Sequence, residues 1–156
     1  METQTERGDA LTMPESLAWR GLLRVHSALM RELDADLVAA HGLPLRSYEV
    51  LLFLAGAQGH RLRMTELSES VLLTASGVSR LVDRLEERGL VTRERCDLDG
   101  RGLYAVITRA GLDKFHEARA THLAGVRRLF VGRLTPDELA ALSTCWDRVI
   151  PGLGDD

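Results

Sequence analysis

The sequence predicts a mainly α-helical fold with one small β-hairpin, and two patterns carry that prediction. Residues 75–88 place four apolar side chains at the i, i+3, i+4 and i+7 positions of one helix face, namely Val78, Leu81, Val82 and Leu85. Directly after this helix, residues 91–95 and 103–107 read as short strands around the tip sequence CDLDGRG. The Asp-Gly pair of the tip is typical of a hairpin turn.

The first element is predicted as a long helix that begins at Thr12 and ends near His41. The sequence Thr-Met-Pro-Glu has the capping-box pattern of a helix start, and Gly42 and Pro44 follow as stop signals. Its apolar stripe consists of Trp19, Leu22, Leu23, His26, Leu29, Met30, Leu33 and Leu37. At 1.5 Å per residue such a helix is roughly 40 Å long, so it needs a surface beyond one small domain to pack on.

The next segment holds shorter elements. Residues 45–57 are predicted as a second helix with Tyr48 facing inward, followed by a turn at Gly56, Gly59 and His60. Residues 61–64 read as a short strand. Thr65 is expected to cap a third helix that runs to about Val71.

Two further helices are predicted in the C-terminal part of the chain. Thr108 is expected to cap a helix that runs to about residue 134, and Thr135-Pro-Asp-Glu is a complete start signal for a last helix, which ends near Ile150. We therefore expect one domain over 1–156, in which residues 45–108 lie between the end helices 12–42 and 109–153. Those end helices have more apolar surface than the centre can cover, which favours a homodimer over a monomeric helical subdomain.

The composition is ordinary for a soluble globular protein. The 156 residues are 45% hydrophobic and 28% charged, with a net charge of −3. Residues 61–109 hold nine Arg and eight acidic residues, a net of +1, so any phosphate contact must come from a few placed arginines. Cys96 and Cys145 form neither a disulfide framework nor a metal pattern. With no apolar leader or spanning segment, we expect a cytoplasmic protein with no membrane partner.

Enzyme signatures are weak. The run His116-Glu117 with His122 resembles a zinc protease motif, but that site needs histidines at i and i+4, and these lie six residues apart. The sequence contains neither a P-loop nor a nucleophile elbow. The expectation is a protein that is not an enzyme and that needs no cofactor and no metal.

The face of helix 75–88 opposite its apolar stripe carries small polar residues and arginines: Ser76, Gly77, Ser79, Arg80, Asp83 and Arg84. A face of this kind suits the major groove of double-stranded DNA. The alternative is a solvated, salt-bridged surface. Because a helix and turn precede it and a hairpin follows, we interpret the region as a winged helix-turn-helix.

The order of elements and three segments, MTELSE, TASGVSRLVDRLEERGLV and DLDGRG with VIT after it, resemble the MarR family of bacterial transcriptional regulators over residues 12–153. The resemblance implies a dimer on a pseudo-palindromic operator, with each recognition helix in a major groove and each wing in a minor groove. It places Ser76, Ser79, Arg80 and Arg84 among the DNA contacts, Arg101 at the wing tip and Asp99 as a brace for that tip. Thr74 and Gly77, at the start of the helix, complete the predicted DNA-binding set.

The family resemblance also implies a pocket for a small aromatic or phenolic effector. Trp19, His26 and Tyr48 are the candidates for lining it, and ordinary core packing is the alternative for all three. Cys96 at the start of the wing is either a redox-sensitive thiol or an ordinary strand-end residue. The sequence thus predicts a ligand-responsive repressor, and a winged-helix module that binds protein instead of DNA is the alternative.

Overall fold

The computed structural model describes residues 10–95 and 102–152. Its helices are α1 (Met13–His41), α2 (Leu45–Gly56), α3 (Met64–Ser70), α4 (Ala75–Glu87), α5 (Arg109–Leu129) and α6 (Pro136–Val149). Its strands are β1 (Arg61–Arg63), β2 (Val91–Arg95) and β3 (Leu103–Ile107). The predicted class, mainly helical with a small hairpin, is confirmed.

The predicted helix starts agree with the structure at four positions. The hydroxyls of Thr12, Thr74, Thr108 and Thr135 each accept a hydrogen bond from the backbone N–H three residues later. At the start of α6 the Glu138 carboxylate also accepts a bond of 2.8 Å from the Thr135 N–H, completing the capping box. These bonds to Thr135 hold the pKa of Glu138 below its usual value.

Two predicted boundaries are wrong. The N-cap of α3 is Arg63, two residues before the predicted cap Thr65, and its N–H donates to the Glu66 carboxylate at 2.8 Å. α5 ends at Leu129 rather than near residue 134, because Phe130 leaves helical geometry and a 3-10 turn, Val131–Arg133, folds back. A Cβ at Gly132 would lie 2.7 Å from the carbonyl oxygen of Arg127, so the close approach of this turn to the end of α5 requires glycine.

The three strands form one antiparallel sheet in the order β1-β3-β2. β3 is central, with Tyr104 opposite Arg63 on one side and Glu94 on the other. The core lies between this sheet and the helices, with α2 near its centre. Its largest fully buried side chains include Leu37, Leu43, Leu51, Leu54, Leu67 and Leu85.

The apolar stripe of α1 is buried only towards its C-terminal end. Leu33 and Leu37 are in the core, whereas Trp19 is 54% exposed in the single chain. Other exposed apolar residues on the end helices include Met13, Leu17, Leu22, Leu23, Val25 and Val149. No residue of α6 is buried. One chain therefore leaves much of the apolar surface of both end helices uncovered.

No single helix within 10–95 or 102–152 is long and apolar enough to cross a membrane. α1 and α2 pass that test only as a pair, and the pair is bent by 82°.

Candidate nucleic-acid interface

α4 divides into a buried face and an exposed face. Val78, Val82 and Leu85 lie in the core, and Leu81 is nearly as buried. The Thr74 hydroxyl accepts a hydrogen bond of 3.1 Å from the Gly77 N–H and so fixes the first turn. The other face is presented to solvent on a rigid helix, which is the arrangement that groove recognition requires.

Two arginines dominate the exposed face. Arg80 and Arg84 lie one turn apart, and both are exposed. The Arg80 Nε donates to the backbone oxygen of Ser76 at 3.4 Å, and in the described part of the chain no carboxylate forms an ion pair with either arginine. Both guanidinium groups are therefore free to meet phosphates or base edges.

Ser79, another predicted contact, is held by the hairpin. Its backbone oxygen and its hydroxyl accept hydrogen bonds from Nη2 of Arg93, at 3.0 and 3.2 Å. Nη1 of Arg93 forms ion pairs with Asp83, at 2.8 Å, and with Glu86. Arg93, on β2, is thus the main polar link between the hairpin and α4, and sequence reasoning did not single it out.

A cleft of about 350 Å³ lies between the starts of α3 and α4 and the hairpin, beside the end of β3 that adjoins the tip. It is lined by Arg63, Met64, Thr65, Ala75, Ser79, Arg93, Gly102 and Leu103. On the sheet, the guanidinium carbons of Arg61 and Arg63 lie 4.8 and 5.7 Å from the centre of the Tyr104 ring, within the range of cation–π contacts. Three wing residues of the sequence analysis, Cys96, Asp99 and Arg101, lie outside the described residues.

A second cavity, of about 320 Å³, lies between α1, α2 and α5. Its lining is mostly apolar and includes the predicted pocket residue Tyr48, which is 2% exposed. The structure of one chain does not bring Trp19 and His26 to this cavity, since both are exposed on α1. The complete lining is Leu29, Met30, Leu33, Leu45, Tyr48, Glu49, Leu52, His122, Val126 and Phe130.

His122 is the chemically distinctive residue of this cavity. In the sequence it stood out only as a candidate metal ligand. Its ring lies 4.7 Å from the Tyr48 ring between centroids. Its Nδ1 is buried and has no hydrogen-bond partner among the described residues. Burial lowers the pKa of His122, and the nearby Glu49 carboxylate opposes that shift only in part. Burial likewise raises the pKa of Tyr48, so both rings are neutral at physiological pH.

A metal centre finds no support in this geometry. Within 10–95 and 102–152 no three His, Cys, Asp or Glu side chains come close enough to hold an ion. His116 is exposed and His122 is partly buried, so the two histidines of the protease-like run lie in different environments.

Comparison with known proteins identifies relatives over most of the chain. The family model described as MarR family matches residues 41–102. The crystal structure of AbsC, a MarR family transcriptional regulator from Streptomyces coelicolor, is 35% identical, with a TM-score of 0.85, and the match covers 94% of this chain and 99% of AbsC. Sco3205, a MarR family regulator from the same organism solved in complex with DNA, is 36% identical, with a TM-score of 0.86, over 92% of this chain and 91% of Sco3205.

A curated relative agrees with this picture over a shorter span. The HTH-type transcriptional regulator YkoM of Bacillus subtilis is 30% identical over 100 residues. That match covers 63% of this chain and 62% of YkoM. All three relatives are transcriptional regulators, a class of proteins that are not enzymes.

Proposed function

Because this chain belongs to the MarR family of transcriptional regulators, we propose that it represses transcription as a homodimer bound across one pseudo-palindromic operator. It is a DNA-binding regulator with a winged helix-turn-helix. The observation that carries the proposal is the exposed face of α4, where Arg80 and Arg84 have no acidic partners among the described residues.

In this proposal α4 enters the major groove and the hairpin reaches the adjacent minor groove. Arg80 and Arg84 bind base edges or phosphates, and Thr74, Ser76, Gly77 and Ser79 bring the start of α4 close to the DNA backbone. Arg101 and Asp99 act at the wing tip. The cleft between α4 and the hairpin offers a groove along which a phosphate backbone could pass between the two reading elements.

The homodimer is supported by the uncovered apolar surface of the end helices. Trp19 and Leu23 on α1 and Val149 at the end of α6 are each at least half exposed in one chain. An apolar surface spread over two helices is typical of a protein interface. We propose that residues 12–42 and 109–153 form the dimer and that residues 45–108 bind DNA. Two recognition helices related by twofold symmetry then match a palindromic site.

We propose that a small aromatic effector binds in the cavity that contains Tyr48 and His122. A volume of about 320 Å³ is at the small end of the range for ligand pockets. The apolar lining suits one ring, and the buried, unpartnered Nδ1 of His122 suits one hydroxyl or carboxyl group on that ring. Trp19 and His26 would join the site only through the dimer. Stabilisation of the protein by phenol, lost in His122→Phe, would support this site.

The competing functions fit less well. A winged-helix module that binds only protein does not explain similarity to a regulator solved with DNA. We propose that the chain has no catalytic activity, and that it acts in the cytoplasm, where the bacterial chromosome lies.

Selection from a library of short duplexes with a randomised centre tests the proposed function. The wild-type protein should enrich a palindromic sequence, and fluorescence anisotropy should then show affinity that falls steeply with salt, because bound arginines release counterions. A protein that enriches no sequence, and whose DNA affinity is the same for every duplex, would overturn the proposal.

A further inference from the structure

The guanidinium of Arg93 is shared among four groups of α4. It donates to the backbone oxygen and the hydroxyl of Ser79 and forms ion pairs with Asp83 and Glu86. The side chain is only 18% exposed, so these bonds are shielded from water more than ordinary surface pairs are. Such a multiply bonded arginine fixes geometry as well as charge.

Among the partners of Arg93, Asp83 is the one that bears on the predicted DNA contact Arg80. It lies three residues after Arg80, at a spacing where a carboxylate and a guanidinium on one helix attract each other. In the structure its Oδ1 is instead 2.8 Å from Nη1 of Arg93. The Asp83 side chain is still 55% exposed, on the side of α4 that carries Arg80. Without Arg93, this acid would be available to pair with Arg80 or to repel a phosphate.

Glu86 adds a second attachment. One carboxylate oxygen accepts from the backbone N–H of Arg93 at 2.9 Å, and the other binds its guanidinium. β2 is an edge strand, and the bond to Glu86 shows that this N–H lies on the outer side of β2, away from β3. The bonds that Glu86 accepts therefore satisfy this backbone N–H at the edge of the sheet and hold the hairpin at one angle to α4.

We propose that Arg93 is a positioning residue for DNA recognition: it neutralises Asp83 and Glu86, which leaves Arg80 and Arg84 available for DNA, and it locks the hairpin onto the recognition helix. Arg93 acts through these residues and not by touching DNA. The inference rests on the proposed function, since it concerns the same α4 surface.

A double-mutant cycle separates this role from simple structural support. The variants are Arg93→Gln, Asp83→Asn and both together, measured by anisotropy on the duplex that the wild-type protein enriches most strongly. Arg109→Gln is the charge-matched control, because Arg109 is exposed on α5 and pairs only with Asp113 among the described residues. Circular dichroism and sedimentation confirm that each variant keeps its fold and assembly.

We expect Arg93→Gln to weaken binding by about tenfold, and Arg109→Gln by less than about twofold. Asp83→Asn alone should change affinity by less than about twofold, because Arg93 already neutralises that acid, but in the Arg93→Gln background it should recover about half of the loss on a logarithmic scale. A residue that only stabilised the fold would give no such rescue. Arg93→Lys, which keeps the charge but not the planar fork, should fall between wild type and Arg93→Gln.

Besides the absence of that rescue, two results would overturn the inference. One is an Arg93→Gln protein that is folded and binds as tightly as Arg109→Gln. The other is a several-fold gain in affinity from Asp83→Asn in the wild-type background, which would mean that Asp83 is not masked; this measurement holds even where Arg93→Gln does not fold. Neither result touches the proposed function, which fails only where the wild-type protein itself enriches no sequence.

Discussion

The hydroxyl of Thr108 donates a hydrogen bond of 2.7 Å to the backbone oxygen of Gly89. The same hydroxyl accepts a bond of 3.0 Å from the N–H of Gly111 and so caps α5. Gly89 follows the end of α4, and Thr108 follows the end of β3. One side chain therefore joins the recognition helix, the hairpin and the helix that leads to the proposed dimer interface.

Gly111→Ala should disturb this junction. A Cβ at Gly111 would lie 2.1 Å from the carbonyl oxygen of Leu90, a distance that forces the backbone to move. We expect a loss of about 1–3 kcal/mol in the free energy of unfolding, as for other overpacked sites, measured by urea denaturation. Ala110→Ser is the control, since the adjacent Ala110 is exposed. Equal stability of the two variants would contradict the close packing at Gly111.

Arg80→Ala should weaken DNA binding while leaving the fold and dimer intact. Its guanidinium is exposed on α4, and its one hydrogen bond within the described chain is to the oxygen of Ser76 in its own helix. We expect a loss of about 1–3 kcal/mol of binding free energy if Arg80 reads a base, or a shallower salt dependence if it holds a phosphate. Arg109→Ala removes the same charge from α5 as a control. Unchanged affinity and salt dependence in a folded Arg80→Ala protein would exclude Arg80 from the interface.

The sequence carried the information for α4 and the hairpin because both signals are local. The apolar spacing from Val78 to Leu85 and the threonine cap at Thr74 lie within one helix and need no tertiary contact to be interpreted. The end of α5 was missed because it depends on close packing of Gly132 against Arg127, a contact that no periodic pattern records.

The two most informative polar residues were missed for different reasons. To predict the contacts of Arg93, one must know which face of β2 meets α4, and that depends on the register of the sheet. His122 did have a local signal: it lies on the face of α5 that also carries Phe115 and Ala118, both buried, at helical spacing. The histidines were interpreted only by the spacing of metal ligands. The apolar neighbours of His122 were therefore not used to predict its burial.

His122 predicts a dependence of stability on pH. Burial lowers its pKa in the folded chain, so below about pH 6.5 the unfolded chain binds a proton that the folded chain does not. The free energy of unfolding should therefore fall as the pH drops below that value, until the folded-state pKa is passed. His122→Asn should flatten this decline in urea denaturation, whereas His116→Asn, at an exposed site on α5, should not. Parallel pH curves for wild type and His122→Asn would show that the pKa of His122 is not lowered in the folded chain.

Deletion from Thr135 onward should abolish the dimer. α6 buries no residue within its own chain, yet presents Val149 and Ile150, which are 70% and 56% exposed. A helix of this kind is held by its contacts with another surface. Sedimentation should find a monomer or an aggregate, and tight operator binding should be lost. The control is the full-length variant Cys145→Ser, which changes an exposed residue of α6. A truncated monomer that binds the palindrome with full affinity would contradict the assignment of α6 to the dimer.

The last prediction concerns Arg101, which falls in the hairpin tip between β2 and β3, outside the described residues. Gly100 and Gly102 flank it in the sequence, so few side-chain atoms separate this part of the backbone from DNA. A guanidinium at a wing tip is suited to a narrow minor groove, where A·T-rich DNA concentrates negative potential. Arg101→Ala should therefore weaken binding more on an operator with A·T-rich flanks than on one with G·C-rich flanks.

The measurement compares wild type and Arg101→Ala on two duplexes that share the selected core and differ only in the flanking base pairs. Arg95→Ala is the matched control: it removes an equal charge, and we expect its effect to be the same on both duplexes because Arg95 is paired with Leu103 within the sheet and is not part of the tip. An equal loss for Arg101→Ala on both duplexes would mean that Arg101 binds phosphate without sensing groove width. The wing would then contribute affinity through charge alone, and sequence selection would rest on α4.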